Sequence, residues 1–557
     1  MSDRRDADVL IVGGGLAGLM AAVSAAQAGA KRVLLVDKCE VGKSGASVQA
    51  KRLAVVGEWS FKEDTTRKHY LDTLASGQGL CNPELVRKLA EDAQVAIGDL
   101  EAAGMRFEQK DPSLYANADQ KRVGHSHYRL LQCGDSTGKV LLDVLRRQAY
   151  KSKVEIRNGF HVADLWVENG TVLGVTGLDF ATGRVDSVSA AATILATGGA
   201  GYLYARTSNP PQMTGDGLWL AYQAGAELID MEMVQFYPAN CVYPRALEGK
   251  NAGSYAEAKL FNVHRERFME RYDLLALENT TRDKLAQAIH KEILAGNGTE
   301  HGGVYMDRTN QGDDYYALFP VEVKSCLEGG LDIRTEWCEV SPAAHYTMGG
   351  VRINERCETS IVGLYAAGEV AAGVHGANRL ADNSLTETLV FGRIAGQTAA
   401  IAAKDASQLS SPDTLEQTRQ VKTRLEALLD GAEGDRSPHQ LRENLRNRMT
   451  QNVGVVRSQD SLSSAIDYLQ AEQHAVPTCL RLSSRSLRAN PELLAAIEII
   501  QMLEVGYLIA VAALNRMESR GAHFREDFPK SGGDTWLTNV VIRKGKHGVE
   551  VFTEPCA

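Results

Sequence analysis

No two of the nine cysteines stand in a CxxC arrangement. The chain alone therefore offers no framework for an iron–sulfur cluster or a structural zinc site, and the odd, scattered set suits a reducing compartment. Positive charge is in deficit, with 61 Lys and Arg against 70 Asp and Glu, a net charge of −9. That balance argues against nucleic acid as the main partner. Aromatic residues make up only 6% of the chain. No apolar run is long and uninterrupted enough to read as a membrane span. The nearest approach, residues 493–514, is broken by Glu498, Gln501 and Glu504 and reads as a buried core helix. Arg4-Arg5 leads into a glycine turn and not into a plain apolar stretch, so an export signal is disfavoured. A cytoplasmic protein is expected, with any membrane association made through a partner. The length of 557 residues suits about two to four domains.

The most informative stretch is Asp8-Val9-Leu10-Ile11-Val12-Gly13-Gly14-Gly15-Leu16-Ala17-Gly18. It reads as a buried strand, a glycine turn and a helix. Gly13 permits the turn, Gly15 lets the backbone approach a pyrophosphate, and Gly18 allows close helix–strand packing. Glycines alone often mark ordinary turns. Here a helix to about Ala28, a second strand over 32–36 and the acid Asp37 follow in order. Asp37 stands about 20 residues beyond the turn, where an acceptor for a ribose hydroxyl is expected. Dinucleotide binding is the reading.

Further along, 62–105 has helical periodicity, and a helix is expected over 140–149. His125 and His127 are alternate residues that could share a face, but no third metal ligand suggests itself. From 154 to 196 the pattern turns to strands, with turns at Asn169-Gly170 and Thr182-Gly183, and ends in Ala196-Thr197-Gly198-Gly199. That second glycine-rich strand end again suits a close backbone approach. Thr214-Gly215-Asp216-Gly217 opens a helix, and Asp216 reads equally well as a sugar hydroxyl acceptor or a helix cap. Residues 236–350 are less regular and read as an insertion. Tyr237, Glu248, Arg267, Arg271, Arg282 and His345 are its chemistry-capable groups. A helix follows over about 386–403, then a linker over 404–412 and helices started by Ser411-Pro412 and Asn490-Pro491. The region 412–518 is expected to be a helical bundle.

Taken together, these motifs resemble the flavoprotein subunits of the fumarate reductase and succinate dehydrogenase family, which includes L-aspartate oxidase. The match runs almost end to end. It includes Gly13 to Gly18, Ala196 to Gly199, Thr214 to Gly217, Glu266 to Met269, His345-Tyr346-Thr347-Met348-Gly349-Gly350, Gly363 to Glu369, His375 to Phe391 and Gly521 to Asp527. The resemblance implies an α/β fold. A Rossmann-like FAD-binding domain (1–235 and 351–404) would carry an inserted α+β capping domain (236–350), a C-terminal helical domain (412–518) and a terminal segment (519–557). It implies bound FAD, with Gly13, Gly14, Gly15, Ala17, Gly18, Asp37, Lys38, Ser44, Gly45, Val162, Gly198, Asp216, Glu369, Ser384 and Leu385 at cofactor-contact positions. It implies hydride exchange between flavin N5 and the carbon β to a carboxylate. His345 and Arg379 would hold the substrate carboxylate, Arg282 would donate the proton, and Tyr237 and Glu248 would lie at the substrate site. Negative charge built on the substrate needs such fixed cations and a proton source. Electrons would be exchanged with a separate carrier, such as an iron–sulfur subunit. No metal site is implied.

Three departures bear on function. Relatives with covalent FAD carry a histidine after the loop serine, whereas Gly45 follows Ser44, so non-covalent FAD and a lean towards reduction are expected. The family's Gln-Phe-His-Pro reads Gln235-Phe236-Tyr237-Pro238, and a phenol carries no positive charge at neutral pH. Leu247 replaces a threonine, and the family's Arg-Gly-Glu-Gly-Gly run is not recognisable between Gly249 and Lys259. One end of the substrate site is thus preserved and the other rebuilt. An L-aspartate-oxidase-like enzyme is the first alternative. A non-catalytic flavin-binding paralogue is the second, and retention of Arg282, His345 and Arg379 speaks against it.

Overall fold

The computed structural model describes residues 5–108, 124–134, 136–251, 255, 258–317, 320–405, 414–430 and 434–556. Strand Ala7–Val12 lies at the centre of the main sheet and is almost fully buried, as its run of apolar residues demands. It pairs in parallel with Val33–Asp37 on one side and Val185–Leu195 on the other. Glu155–Asn158 and Leu364–Ala366 extend the parallel array at its two ends. Phe160–Glu168 and Thr171–Asp179 form an antiparallel meander continuing from Val185–Leu195. The parallel strands all deliver their C-terminal ends to one edge of the sheet, where ligands of open α/β sheets bind.

Helix Leu16–Gln27 packs against the long helix Asn383–Asp405. Their contact is close because Gly392 and Gly396 face Ala17 and Ala21. A Cβ on Gly396 would lie 2.2 Å from the Ala21 carbonyl oxygen. The expected helix over 62–105 is two helices, Thr66–Ser76 and Pro83–Ala102. Thr65 caps the first and Asn82, followed by Pro83, caps the second.

The region between 234 and 347 builds its own four-stranded antiparallel sheet, in the order Val234–Tyr243, Cys338–Thr347, Val304–Asp307, Lys259–Phe261. Helix Arg282–Leu294 packs on it over a separate apolar core containing Leu260, Phe268, Leu285 and Ile289. Leu247 belongs to that core, against Gly329, and is fully buried. Its change from threonine is therefore absorbed by packing and does not reshape the cavity wall.

Four helices follow: Thr414–Asp430, Pro438–Asn452, Gln459–Cys479 and Pro491–Asn515. The start of the expected linker, 404–405, is the end of helix Asn383–Asp405, and the rest of it with the Ser411-Pro412 start falls outside the described residues. Helix Pro491–Asn515 is long and apolar enough to cross a membrane by composition. It packs on the two helices before it, and its acids find partners here: Glu498 binds Lys38 and Arg442, and Glu504 accepts from Trp219 and Gln223, while Gln501 is buried with no hydrogen-bond partner. The C-terminal segment forms a hairpin, Thr538–Gly545 with Gly548–Pro555, that joins strand Leu228–Ile229 in a further sheet. Arg516, wholly buried, ties this segment to Asp230, Glu232 and Glu518.

His125 and His127 do not act as a pair. His125 is buried and bonds the Ala381 carbonyl at 2.9 Å, while His127 bonds Lys68 and Ser126. Among the described residues no group of three or more His, Cys, Asp or Glu could hold a metal ion. His69 bonds the Asn383 side chain at 2.8 Å, so two histidines brace the loop 379–383. Burial, then Arg129, pushes the pKa of His69 down to about 3 and that of His125 to about 4. In the unfolded chain both rings take up a proton near 6.5. The unfolded state therefore binds more protons between those values, and acidification below 6.5 destabilises the fold. Each histidine contributes on the order of 1.4 kcal/mol per pH unit in that window. The urea midpoint is expected to fall steeply from pH 6.5 to 5, and less steeply in His125→Gln. Identical slopes would contradict the assignment.

Candidate active site

The first glycine turn is shaped by what it cannot hold. Gly13 has φ +109°, and an added Cβ would stand 2.3 Å from the Ala196 carbonyl oxygen. A Cβ on Gly18 would meet the Gly13 carbonyl oxygen at 1.8 Å. Gly15 is different, since only Ser47 Oγ comes near its absent Cβ, at 3.5 Å. Its backbone is bare on the side that faces a large cavity. Helix Leu16–Gln27 starts there without a side-chain cap, so its N-terminal N–H groups are presented to an anion. Asp37 accepts from the backbone N–H groups of Gly14 and Cys39, both at 2.6 Å, which locks turn and acid together.

The cavity measures about 720 Å³. It is lined by Gly13, Gly14, Gly15, Ala17, Asp37, Lys38, Ser44, Gly45, Val162, Gly198, Asp216, Glu369, Ser384 and Leu385. Gly18 stands behind it in a packing role. Ser384 and Leu385 open helix Asn383–Asp405, a second helix N-terminus at the same space. Asp216 does not cap its helix. Its carboxylate pairs with Lys38 at 2.7 Å, and Lys38 also holds Glu498 at 2.8 Å. Burial disfavours the lysine's charge, but the two carboxylates outweigh it and raise its pKa. Gly45 has φ +79°, and no atom lies within 4 Å of where a Cβ would stand, so the loop there is open. Burial lifts Glu369 to about 8 despite the Thr347 N–H and Arg379, so it is protonated at neutral pH. Thr197 Oγ1 and His161 Nε2 are buried at this cavity with no hydrogen-bond partner. A bare glycine turn, two helix N-termini and unsatisfied polar atoms fit a bound dinucleotide.

The same cavity extends to Tyr237, Glu248, Arg282, His345 and Arg379. Arg282 is the first residue of helix Arg282–Leu294, and Arg379 lies on the loop before helix Asn383–Asp405. Both guanidinium groups donate to one atom, Gln235 Oε1, at 3.1 and 3.0 Å. Neither forms an ion pair among the described residues, and both Nε atoms are buried without a partner. Burial, then Arg282, lowers the pKa of Arg379 to about 10. His345 Nδ1 bonds Ser208 Oγ at 2.7 Å, which leaves Nε2 for a ligand. Burial, followed by Arg282 and Arg379, holds the pKa of His345 well below its ordinary value, so the ring is neutral. Tyr237 packs its ring 5.3 Å from that of His345 and under Arg282 at 5.2 Å. A buried and a half-buried guanidinium beside a neutral imidazole, neither cation in an ion pair among the described residues, make a site for a carboxylate.

Not every expected residue joins this group. Glu248 is exposed on the cavity rim, where it faces Arg206 and not Arg282. Arg267 and Arg271 are spent on Glu278, Glu266 and Glu292 within the inserted region. Gln235 and Ser208 were given no role from sequence. A glutamine in an otherwise apolar strand was the available signal for Gln235; Ser208 lies 137 residues from its partner and gave none. Gln235 itself donates to Asn378 Oδ1 and the Arg379 carbonyl, and Asn378 donates to Asp283.

Comparison with known proteins agrees. Residues 8–385 match the FAD binding domain family, and residues 442–557 match the fumarate reductase flavoprotein C-terminal family. An uncharacterized FAD-dependent oxidoreductase of Methanocaldococcus jannaschii is 38% identical over 549 residues, 97% of this chain and 96% of that one. A subunit of the fumarate reductase (CoM/CoB) of Methanothermobacter marburgensis is 36% identical over 98% of both chains. L-aspartate oxidase of Streptomyces coelicolor is 34% identical over 96% of this chain and 91% of the relative. Among solved structures, FrdA of E. coli quinol fumarate reductase superposes with a TM-score of 0.90 at 29% identity, covering 99% of this chain and 96% of that one. The fold and the cavity are those of an FAD-dependent oxidoreductase acting on CH–CH groups. More particularly, the chain belongs to the fumarate reductase and succinate dehydrogenase flavoprotein family.

Gly13→Ala is expected to yield folded protein with less than about a tenth of the wild-type FAD content, read from flavin absorbance per polypeptide. Full cofactor occupancy in that variant would contradict the close approach described here.

Proposed function

We propose that the protein reduces the C=C bond of an α,β-unsaturated carboxylate, with electrons delivered by a separate redox partner such as an iron–sulfur subunit. The observation that carries this reading is the pair of guanidinium groups on Gln235, Arg379 buried and Arg282 half-buried, beside a neutral histidine, in the cavity that begins at the dinucleotide turn. The glycine turns, Asp37, Glu369 and the two helix N-termini would hold FAD without a covalent bond, and the bound flavin would supply hydride-transfer chemistry at the carbon β to the carboxylate.

The residues of this chain do the rest. Arg379 and His345 Nε2 bind the carboxylate and receive the charge that develops on it and on the α carbon. Where Ser208 donates to Nδ1, the ring proton lies on Nε2 and points to the substrate as a donor. Arg282, fixed by Gln235, delivers the proton to the α carbon. A guanidinium is a very weak acid, so it serves only a strongly basic carbanion. Gln235 keeps both arginines in register without neutralising either. The inserted region is held over the cavity, where Lys51 pairs with Glu322 at 2.6 Å and Asn378 donates to Asp283.

An amino-acid oxidase reading rests on the L-aspartate oxidase relative. Anaerobic photoreduction of the flavin followed by a panel of acids separates the two. Enoates are expected to reoxidise the wild type, and Arg282→Ala is expected to slow that step by at least about 10³-fold. Fast reoxidation by air with an imino product from an amino acid, and indifference to enoates, would favour the oxidase. Acid precipitation is expected to leave the flavin in the supernatant, and yellow pellets would contradict non-covalent binding.

A further inference from the structure

The cavity does not end at His345 and Tyr237. It continues along strand Val234–Tyr243 to Asn240, and from there to Gly249 and Lys250. Along this strand Gln235 holds the arginine pair, Tyr237 packs on His345 and Asn240 comes three residues later. At about 3.3 Å per residue Asn240 stands roughly 10 Å beyond Tyr237.

Asn240 is buried, only 2% exposed. Its Nδ2 donates to the Gly249 carbonyl at 2.9 Å, which fixes the orientation of the amide. Its Oδ1 is left buried with no hydrogen-bond partner. An unsatisfied buried acceptor is costly, and a ligand that donates to it recovers that cost. The cations near this end are engaged. Arg206 donates to the Gly302 and His301 carbonyls and to Ser341, and Lys250 reaches Ser325 at 3.5 Å. Tyr237 brings no charge, and Glu248 on the rim is an acceptor. The far end thus offers Asn240 Oδ1, a buried acceptor, beside the exposed rim residues Glu248 and Lys250. A carboxylate has no proton to donate to that acceptor at neutral pH, and a four-carbon diacid, about 4 Å between its carboxyl carbons, is too short to reach it.

We infer that the substrate is an elongated enoic acid whose far end carries an uncharged N–H donor, such as a carboxamide, received by Asn240 Oδ1. This rests on the enoate-reductase reading above and adds the far half of the substrate. The contact is made beyond the reacting carbons, so Asn240 governs specificity and not the chemical step.

Three fumaroyl-glycine compounds, identical except for a terminal carboxamide, methyl ester or carboxylate, test this, with fumarate as the short reference. They are compared by kcat/KM with the intact holoenzyme and a reduced viologen as electron donor. The carboxamide is expected to exceed the ester and the carboxylate by at least about fivefold, because only it donates to the buried acceptor. Asn240→Leu should remove that preference chiefly through KM, and Asn240→Asp, which keeps an acceptor there, should still disfavour the carboxylate. If fumarate is reduced but the carboxamide shows less than about a fivefold advantage over either analogue, the inference is overturned while the enoate-reductase reading stands. If no enoate is reduced, both fall. The wild-type comparison needs no variant to fold.

Discussion

Two positive charges share one amide oxygen in the interior of this protein, and much of the architecture serves to keep them there. Arg282 begins a helix, where the backbone dipole already disfavours a cation. Arg379 sits on a buried loop braced from behind by His69 and His125. Gln235 comes from the sheet of the inserted region and touches both. Each of the three is supplied by a different element, so the arrangement exists only when the inserted region is seated on the dinucleotide-binding sheet. Holding two like charges close together with neither in an ion pair is unfavourable. The site is thus built around an anion, and a carboxylate that gains charge during reaction meets that need best.

The cofactor half of the cavity works on a different principle. There the backbone does the binding, through a bare Gly15 and two helix N-termini, and side chains mainly lock loops in place. Asp37 is tied to the turn it follows, and Lys38 binds both Asp216 and Glu498, the latter 460 residues away in sequence. This division lets the glycine framework persist while the far wall of the substrate region changes. Tyr237 stands where the family pattern has a histidine, and it fits by packing on His345 and under Arg282.

Local pattern made the strand–turn–helix of 7–27, the meander of 160–195 and the helix start at Asn490 legible, because each rests on neighbours in sequence. Motif spacing made Gly13, Gly15 and Asp37 legible, and the family resemblance implied the other cofactor-lining residues. The remainder depended on partners far apart along the chain. Ser208 on His345, Gln235 between two arginines and the C-terminal hairpin against Leu228–Ile229 have no local signature. Leu247 looked like a change at the substrate site, yet it fills the core of the inserted region. Glu248 looked like a site acid, yet the turn after 245–247 carries it to the rim. His125 had no assigned role, and it holds a backbone carbonyl.

The central claim is that the arginine pair binds a carboxylate. Calorimetric titration of the oxidised holoprotein with a saturated carboxylic acid, in wild type and in Arg379→Gln, tests it most directly. One acid bound per polypeptide in the wild type, with affinity reduced at least about tenfold in the variant, is the expected result. Equal affinity in both proteins, or no binding of any carboxylic acid by the wild type, would contradict it.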